Sequence, residues 1–430
     1  MSVVHPNLPA NRAAQARQRL SCGALGIALA LASAAVMAMG GHPVQRAPAH
    51  LDDFSKPHEA EALFIKSLIE IKNNRLVTAL ADIEKTIQAY PNFRLAHLVK
   101  GDLLLARTRP LTTIGNTNGV PHERIEELRE EAKARLARFQ QERPVGRVPR
   151  YLLQLQPQQK FALVVDTSKY TLYVFENVDG MPRYIADYYT TIGKNGINKN
   201  REGDKKTPLG VYHVTGSLPR DRLNVLYGNK SELYGTGAYP INYPNEWDRR
   251  QGRNGHGIWL HGVPFDTYSR PPRSSDGCVA LTNEDLERIG RSVQIGLTPV
   301  IISHDIEWVT PQASAALRTD LAHALEAWRA DWASLDTEKY LKRYSANFSS
   351  GKQDLADWSE HKRKVNARKT WIKVQVDQVS MFLYPGSRND LAVVTFEQNY
   401  ASSNLTEKSR KRQYWIKEGD SWKIIYEGAA

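Results

Sequence analysis

Apolar residues change their spacing twice along the 430-residue chain, and this restricts the fold to an assembly of unlike parts. Over residues 58–107 they recur at helical period: Ala62, Leu63, Ile65, Leu68, Ile69 and Ile71, then Leu76, Leu80, Ile83 and Ile87. Ala89-Tyr90-Pro91-Asn92 interrupts the pattern, and Ala96, Leu98, Leu103 and Leu104 resume it. From Phe161 the pattern gives way to β-branched and aromatic runs: FALVVD at 161–166, TLYVF at 171–175, the segment 184–192, and VYHV at 211–214. GKNG and KKTPLG mark turns between them, and PVII at 299–302 closes the unit. Beyond 315 a helix carries Leu321, Leu325, Trp328 and Trp332. Short helical pieces with Tyr340, Tyr344, Phe348 and Trp358 follow, then strands near 372–379, 391–400, 413–417 and 422–426. The expected class is multidomain α+β: a helical segment at 55–145, a mostly-β domain at 158–305 and an α+β cone at 315–430.

Residues 1–41 read as an export segment. Arg12, Arg17 and Arg19 precede the apolar run ALGIALALASAAVMAM, and no acidic residue occurs before Asp52. Such a run suits a signal peptide, and a membrane anchor with its basic end in the cytoplasm is the alternative. The chain beyond it is therefore expected outside the cytoplasm. Lys+Arg 58 against Asp+Glu 46 gives a net charge of +12, densest at 362–369 and 408–412. That excess favours an anionic envelope polymer or a membrane surface, with simple solubility as the plainer reading. Nucleic acid is not an expected partner, since no aromatic-basic motif occurs. No His/Cys/carboxylate grouping has metal spacing and no glycine-rich nucleotide loop is present, so neither metal nor cofactor is expected.

The chain has two cysteines, Cys22 beside the apolar run and Cys278. Once exported, Cys278 has no intramolecular partner in an oxidising compartment, which suits a thiol with chemistry to perform. A strand-like run ending in His261, GIWLHG, lies upstream of it. A lone cysteine with a histidine able to deprotonate it is the minimal equipment of a cysteine acyltransferase.

FALVVDTSKYTLYVF, TIGKNG, KTPLGVY, NYPNEWDRRQGRNGHGIWLHG and SSDGCVAL together resemble the YkuD-type L,D-transpeptidase catalytic domain. The resemblance implies a mostly-β fold and acyl transfer at peptidoglycan stem peptides in the periplasm, with D-alanine expelled from a tetrapeptide. It implies Cys278 as nucleophile and His261 as base. Gly262 would hold the imidazole tautomer through its carbonyl, and the amides of Gly277 and Cys278 would stabilise the oxyanion. Ser275 matches the small hydroxyl residue of the family motif. Two positions depart from that motif: Asp276 stands where the family has histidine, and Ala280 where it has arginine. His256 reads as a loop residue. Arg253, Arg270 and Arg273 are candidates for a substrate carboxylate, weighed equally against solvated roles, and Tyr243 and Trp247 read as packing residues.

ALEAWRADWASLDTEKYLKRYSANF and YWIKEGDSWKIIYEG resemble the nuclear transport factor 2-like fold, and residues 58–107 resemble about one and a half tetratricopeptide repeats, suited to packing or to homodimerisation. The whole arrangement is similar to the cell-shape-determining L,D-carboxypeptidases. The expected function is L,D-transpeptidation through a Cys278 acyl-enzyme. Hydrolysis of the same bond, as in an L,D-carboxypeptidase, is one alternative; a non-catalytic wall-binding scaffold is another.

Overall fold

The run FALVVD is apolar at both parities, so a strand built from it needs cover on both faces. The structure, a computed structural model, describes residues 59–110, 113–115, 121–351, 353–387 and 390–430. The export segment at 1–41 lies outside them. No helix among the described residues is long and apolar enough to cross a membrane.

Phe161–Asp166 forms a strand buried at every position. It lies inside a five-stranded sheet in the order Met181–Tyr189, Thr171–Val178, Phe161–Asp166, Pro299–Ser303, Gly210–His213. Phe161, Leu163 and Val165 point into a core shared with Leu172, Val174, Val300, Ile302, Leu260 and Val279. The alternate residues Ala162 and Val164 join Tyr173, Phe175 and Ile301 on the other face, against Phe382, Tyr384, Leu391, Val393 and Tyr414. One face therefore packs on the segments that carry the cysteine and histidine, and the other on the C-terminal part.

The C-terminal part is a helix, Pro311–Ala333, packed on a seven-stranded sheet. The strands run Gln353–Asp354, Tyr344–Ser350, Ser421–Ala429, Leu405–Glu418, Leu391–Ser402, Ile372–Leu383 and, at the edge, Leu152–Gln154. Two features differ from the sequence expectation. Tyr344–Ser350 is a strand paired in parallel with Ser421–Ala429, not a helical piece. Tyr344 and Phe348 are four residues apart, a spacing that fits one face of a helix and one face of a strand equally. The edge strand Leu152–Gln154 comes from before the catalytic domain, so the cone is not built from 315–430 alone. Leu153 points into the cone's own core and Leu152 into the shared one.

Part of each basic run is turned inward. Lys362 Nζ lies 4.3 Å from the Trp358 ring centre, Lys411 pairs with Glu427 at 2.6 Å and Arg412 with Glu246 at 2.7 Å. Lys369 donates to Ser402 and Asn404. These charges tie the cone together and to the catalytic part, while Arg363, Lys364, Arg368 and Lys408 of the same runs stay exposed.

The N-terminal helices are α1 (Glu59–Lys72), α2 (Leu76–Ala89), α3 (Arg94–Leu105) and α4 (His122–Gln140). Phe64, Ile65, Ala79, Ile83, Phe93, Leu95 and Ala132 make their core, and Tyr268 of the catalytic part is inserted among them. Its ring lies 4.5 Å from that of Phe93 and 4.6 Å from that of Tyr90. Beside it Arg135, 1% exposed, pairs with Glu61 and with Glu131 at 2.9 Å, and stacks 4.2 Å over Tyr189. Arg138 crosses to Asp187 at 2.5 Å.

Removing one partner from a buried ion cluster leaves its counter-charges without compensation, at a cost of about 3–5 kcal/mol. Arg135→Ala is expected to loosen the helical part by that amount, read as faster amide hydrogen exchange across α1–α4. Combining it with Glu61→Gln and Glu131→Gln should recover most of the loss. An unchanged exchange pattern in the single variant would show that the cluster does not hold the helices in place.

Candidate active site

The nucleophile and base candidates sit on adjacent strands of a small sheet. Trp259–His261 pairs in parallel with Val279–Ala280, Leu260 opposite Val279 and His261 opposite Ala280, and the Leu281 amide donates to the His261 carbonyl at 2.9 Å. The sequence separates Cys278 and His261; this pairing brings them together. Gly237–Pro240 flanks the histidine strand on its other side.

His261 is 3% exposed. Its Nδ1 lies 2.6 Å from the Gly262 carbonyl oxygen, so the proton resides on Nδ1 and Nε2 is left as an acceptor. Tyr234 meets the ring edge to face, with centroids 5.3 Å apart. Gly262 has a steric requirement as well. A Cβ there would fall 2.1 Å from Asn283 Oδ1, which accepts from the amides of Thr236 and Val263, both at 3.1 Å. Asn283 thus closes the chain around the base.

The turn before Cys278 is fixed by hydrogen bonds. Ser275 Oγ donates to the Cys278 carbonyl at 2.7 Å and accepts from the Gly277 amide at 3.1 Å. Thr207 Oγ1 donates to the Gly277 carbonyl at 3.0 Å and accepts from the Gly193 amide at 2.9 Å. Gly277 has φ +125°, and a Cβ on it would lie 2.7 Å from the Lys206 carbonyl, so only glycine fits. Because its amide is already engaged by Ser275, the oxyanion role assigned to Gly277 changes. The amide with no acceptor among the described residues is that of Cys278 itself, and Gly277 contributes the conformation that presents it.

Cys278 is a free, half-buried cysteine whose Sγ donates to the Gly257 carbonyl at 3.3 Å. Burial pushes its pKa up to about 11. A hydrogen bond from the Trp259 backbone and the charges of Lys199 and Arg270 oppose that rise, and the Asp276 carboxylate adds to it. Burial likewise lowers His261 to about 4, assisted by Arg270 and opposed by the Gly262 carbonyl. The resting pair is therefore neutral thiol and neutral imidazole, not thiolate and imidazolium.

The other candidates separate clearly. His256 is exposed and lies 3.4 Å from Glu202, away from the base position. Arg253 is bound to Asp248 at 3.0 Å and Arg273 to the Tyr170 hydroxyl at 3.0 Å. The Arg270 side chain has no hydrogen-bond or ion-pair partner among the described residues, and its charge acts on both Cys278 and His261. Asp276 is exposed and 3.6 Å from Lys205. Tyr243 is in the core and Trp247 stacks on Tyr414, with centroids 5.7 Å apart. Tyr234, Thr207, Lys199 and Asn283 were not legible as site residues. Thr207 lies in the KTPLG turn and Asn283 follows a capping threonine, but nothing in either pattern points across the fold. Among the described residues no three His, Cys, Asp or Glu side chains are grouped to hold a metal ion.

Comparison with known proteins agrees with this arrangement. Residues 160–302 match the L,D-transpeptidase catalytic domain (YkuD), and residues 320–428 match the Cds6 C-terminal NTF2-like domain. The structure of Bdellovibrio bacteriovorus Bd1075 is 30% identical; the match covers 66% of this chain and 98% of that one, with a TM-score of 0.57. The helical cell shape determining protein Pgp2 from Campylobacter jejuni is 24% identical over 65% of this chain and 95% of its own, with a TM-score of 0.54. No curated protein matches in sequence. The chain belongs to the L,D-transpeptidase family, in the form that carries an NTF2-like domain after the catalytic one.

The neutral pair gives a measurable pH dependence. A base whose pKa is lowered to about 4 stays unprotonated through neutral pH, so activity should fall on the acid side near pH 4 and not near the ordinary imidazole value. Alkylation of Cys278 by iodoacetamide should be slow at pH 7 and climb toward alkaline pH. Asp276→Asn removes a charge that opposes the thiolate, so it should raise the alkylation rate several-fold at fixed pH. An unchanged or slower rate would refute that account of Asp276.

Proposed function

We propose that this protein is a periplasmic cysteine acyl-transfer enzyme acting on peptidoglycan tetrapeptide stems. The observation that carries the proposal is a half-buried thiol at the start of one strand and, on the strand paired with it, an imidazole whose Nδ1 is held by the Gly262 carbonyl, in a domain of this family. In this reading the substrate enters with the carbonyl of its third residue at Cys278 Sγ. His261 Nε2 takes the thiol proton as the C–S bond forms, and the Cys278 amide donates to the developing oxyanion. Collapse of the tetrahedral adduct breaks the amide C–N bond, and His261 returns the proton to the departing D-alanine amine. The thioester then passes its acyl group to an incoming nucleophile, again deprotonated by His261.

Transfer to the amine of a second stem is L,D-transpeptidation, and transfer to water is L,D-carboxypeptidation. The second reading is favoured by Asp276, which replaces the family's histidine beside the nucleophile, and by the joining of the catalytic domain to an NTF2-like one, an arrangement similar to the cell-shape-determining L,D-carboxypeptidases; the fold is also similar to that of Pgp2, a helical cell shape determining protein. A part in setting cell shape follows from that reading. Export through residues 1–41 would deliver the chain to its substrate.

Mass spectrometry of muropeptides incubated with the protein separates the outcomes: crosslinked dimers for transfer, tripeptides for hydrolysis, unchanged stems for a scaffold. Cys278→Ser should abolish D-alanine release, and His261→Ala should reduce it by at least about 100-fold, the scale of general-base catalysis. His256→Ala should leave it unchanged. Undiminished release by the Cys278 variant would remove this thiol from the mechanism.

A further inference from the structure

The base is oriented through a single peptide plane. The Gly262 carbonyl oxygen lies 2.6 Å from His261 Nδ1, and the N–H of that same peptide unit belongs to Val263. That N–H donates to Asn283 Oδ1 at 3.1 Å. A peptide unit is rigid and planar, so fixing its N–H also fixes where its carbonyl points. Whatever holds the Val263 amide therefore holds the imidazole.

Asn283 holds more than that amide. Its Oδ1 also accepts from the Thr236 amide at 3.1 Å, and its Nδ2 donates to the Val263 carbonyl at 2.9 Å. Two donors face one end of the carboxamide and an acceptor faces the other. The reversed carboxamide would set N–H against N–H and C=O against C=O, so only one orientation fits. Two glycines make room for it: a Cβ on Gly235 would fall 1.9 Å from Oδ1, and one on Gly262 2.1 Å.

The asparagine is itself tied to the nucleophile, because both belong to the short segment 278–283. Within it Val279 and Ala280 pair with Leu260 and His261, and the Leu281 amide donates to the His261 carbonyl at 2.9 Å. Thr282 then caps the helix Asn283–Gly290, its side chain accepting from the Asp285 amide at 3.2 Å. Leu286 and Ile289 anchor that helix in the catalytic core. The segment that carries the thiol thus runs beside the histidine strand and grips the peptide just beyond it.

We propose that Asn283 is a positioning residue for the base: through the Gly262–Val263 peptide it keeps the His261 proton on Nδ1 and leaves Nε2 open to the thiol proton of Cys278. The inference rests on the acyl-transfer reading and adds to it how base and nucleophile are kept in register. A neutral imidazole released from the Gly262 carbonyl populates both tautomers. The one protonated on Nε2 presents a donor where the thiol needs an acceptor.

The test uses the full chain with isotope-labelled histidine, the His261 signals being those missing from His261→Ala. Nitrogen NMR at pH 7, where this ring is neutral, distinguishes protonated from bare ring nitrogens. The parent should carry its proton on Nδ1. Asn283→Leu, close in size and without an acceptor, is expected to mix the tautomers. It should also lower kcat for D-alanine release about 10- to 100-fold, the scale of a misplaced catalytic group, with KM changed less than about twofold. Asn283→Asp keeps an acceptor for both amides, so it should retain the Nδ1 tautomer and recover most of the rate. Either change without the other, neither change, or equal loss in the Leu and Asp variants would overturn the assignment. If Asn283→Leu does not fold, Asn283→Ala takes its place; failure of both to fold makes Asn283 a residue of the fold and overturns the proposal too. If the parent releases no D-alanine, the reaction reading fails, and the tautomer comparison alone decides the role of Asn283.

Discussion

Burial of the catalytic sheet on both faces is the constraint on which the rest of the structure depends. The strands Phe161–Asp166 and Pro299–Ser303 present large apolar side chains at both parities, so each face must be covered. One face is covered by the strands of the active site, the other by the C-terminal sheet. At roughly 25 cal/mol per Å² of apolar surface, exposing about 400 Å² of such a face would cost about 10 kcal/mol, comparable with a domain's usual margin of about 5–15 kcal/mol. The cone is therefore part of the catalytic domain's solvent exclusion, and the edge strand Leu152–Gln154 stitches the two together.

The same burial governs the chemistry. A thiol and an imidazole enclosed this way favour their neutral forms, because burial outweighs the charges nearby. Asp276 adds to this restraint, while Arg270 and Lys199 act against it at the sulfur. At the imidazole Arg270 works with burial, since a cation disfavours imidazolium. Arg270 thus favours the thiolate while opposing protonation of the imidazole, so its effects at the two ends of a proton transfer between them run against each other.

The N-terminal helices reach the site through one loop. Tyr268 is shared with their core and Ser269 with their buried ion cluster, and the next residue is Arg270. A helical module that carries no reacting group can in this way set the geometry of a charged side chain beside the nucleophile. Burial of Arg135 with two carboxylates is costly to assemble and costly to break, which gives the loop a single position.

The sequence by itself determined the domain order, the strands with two apolar parities, and the residues with the equipment for acyl transfer. Cys278 stood out because a lone thiol in a chain expected to be exported has few other uses, and Gly277 and Gly262 because they flank the candidate nucleophile and base. Period and composition are local properties, and these features are local. The tertiary structure alone decided that Tyr344–Ser350 is a strand, since a four-residue spacing does not distinguish helix from sheet. It alone showed that Lys411 and Arg412 of the second basic run point to Glu427 and Glu246, because charge counts carry no direction. It alone selected Arg270 from three equivalent arginines, by giving Arg253 and Arg273 other partners. It also reassigned Gly277 from amide donor to conformational hinge, because the Ser275 hydroxyl occupies its N–H. Each of these depends on which distant residue arrives at a given atom, and that is settled only when the chain has packed.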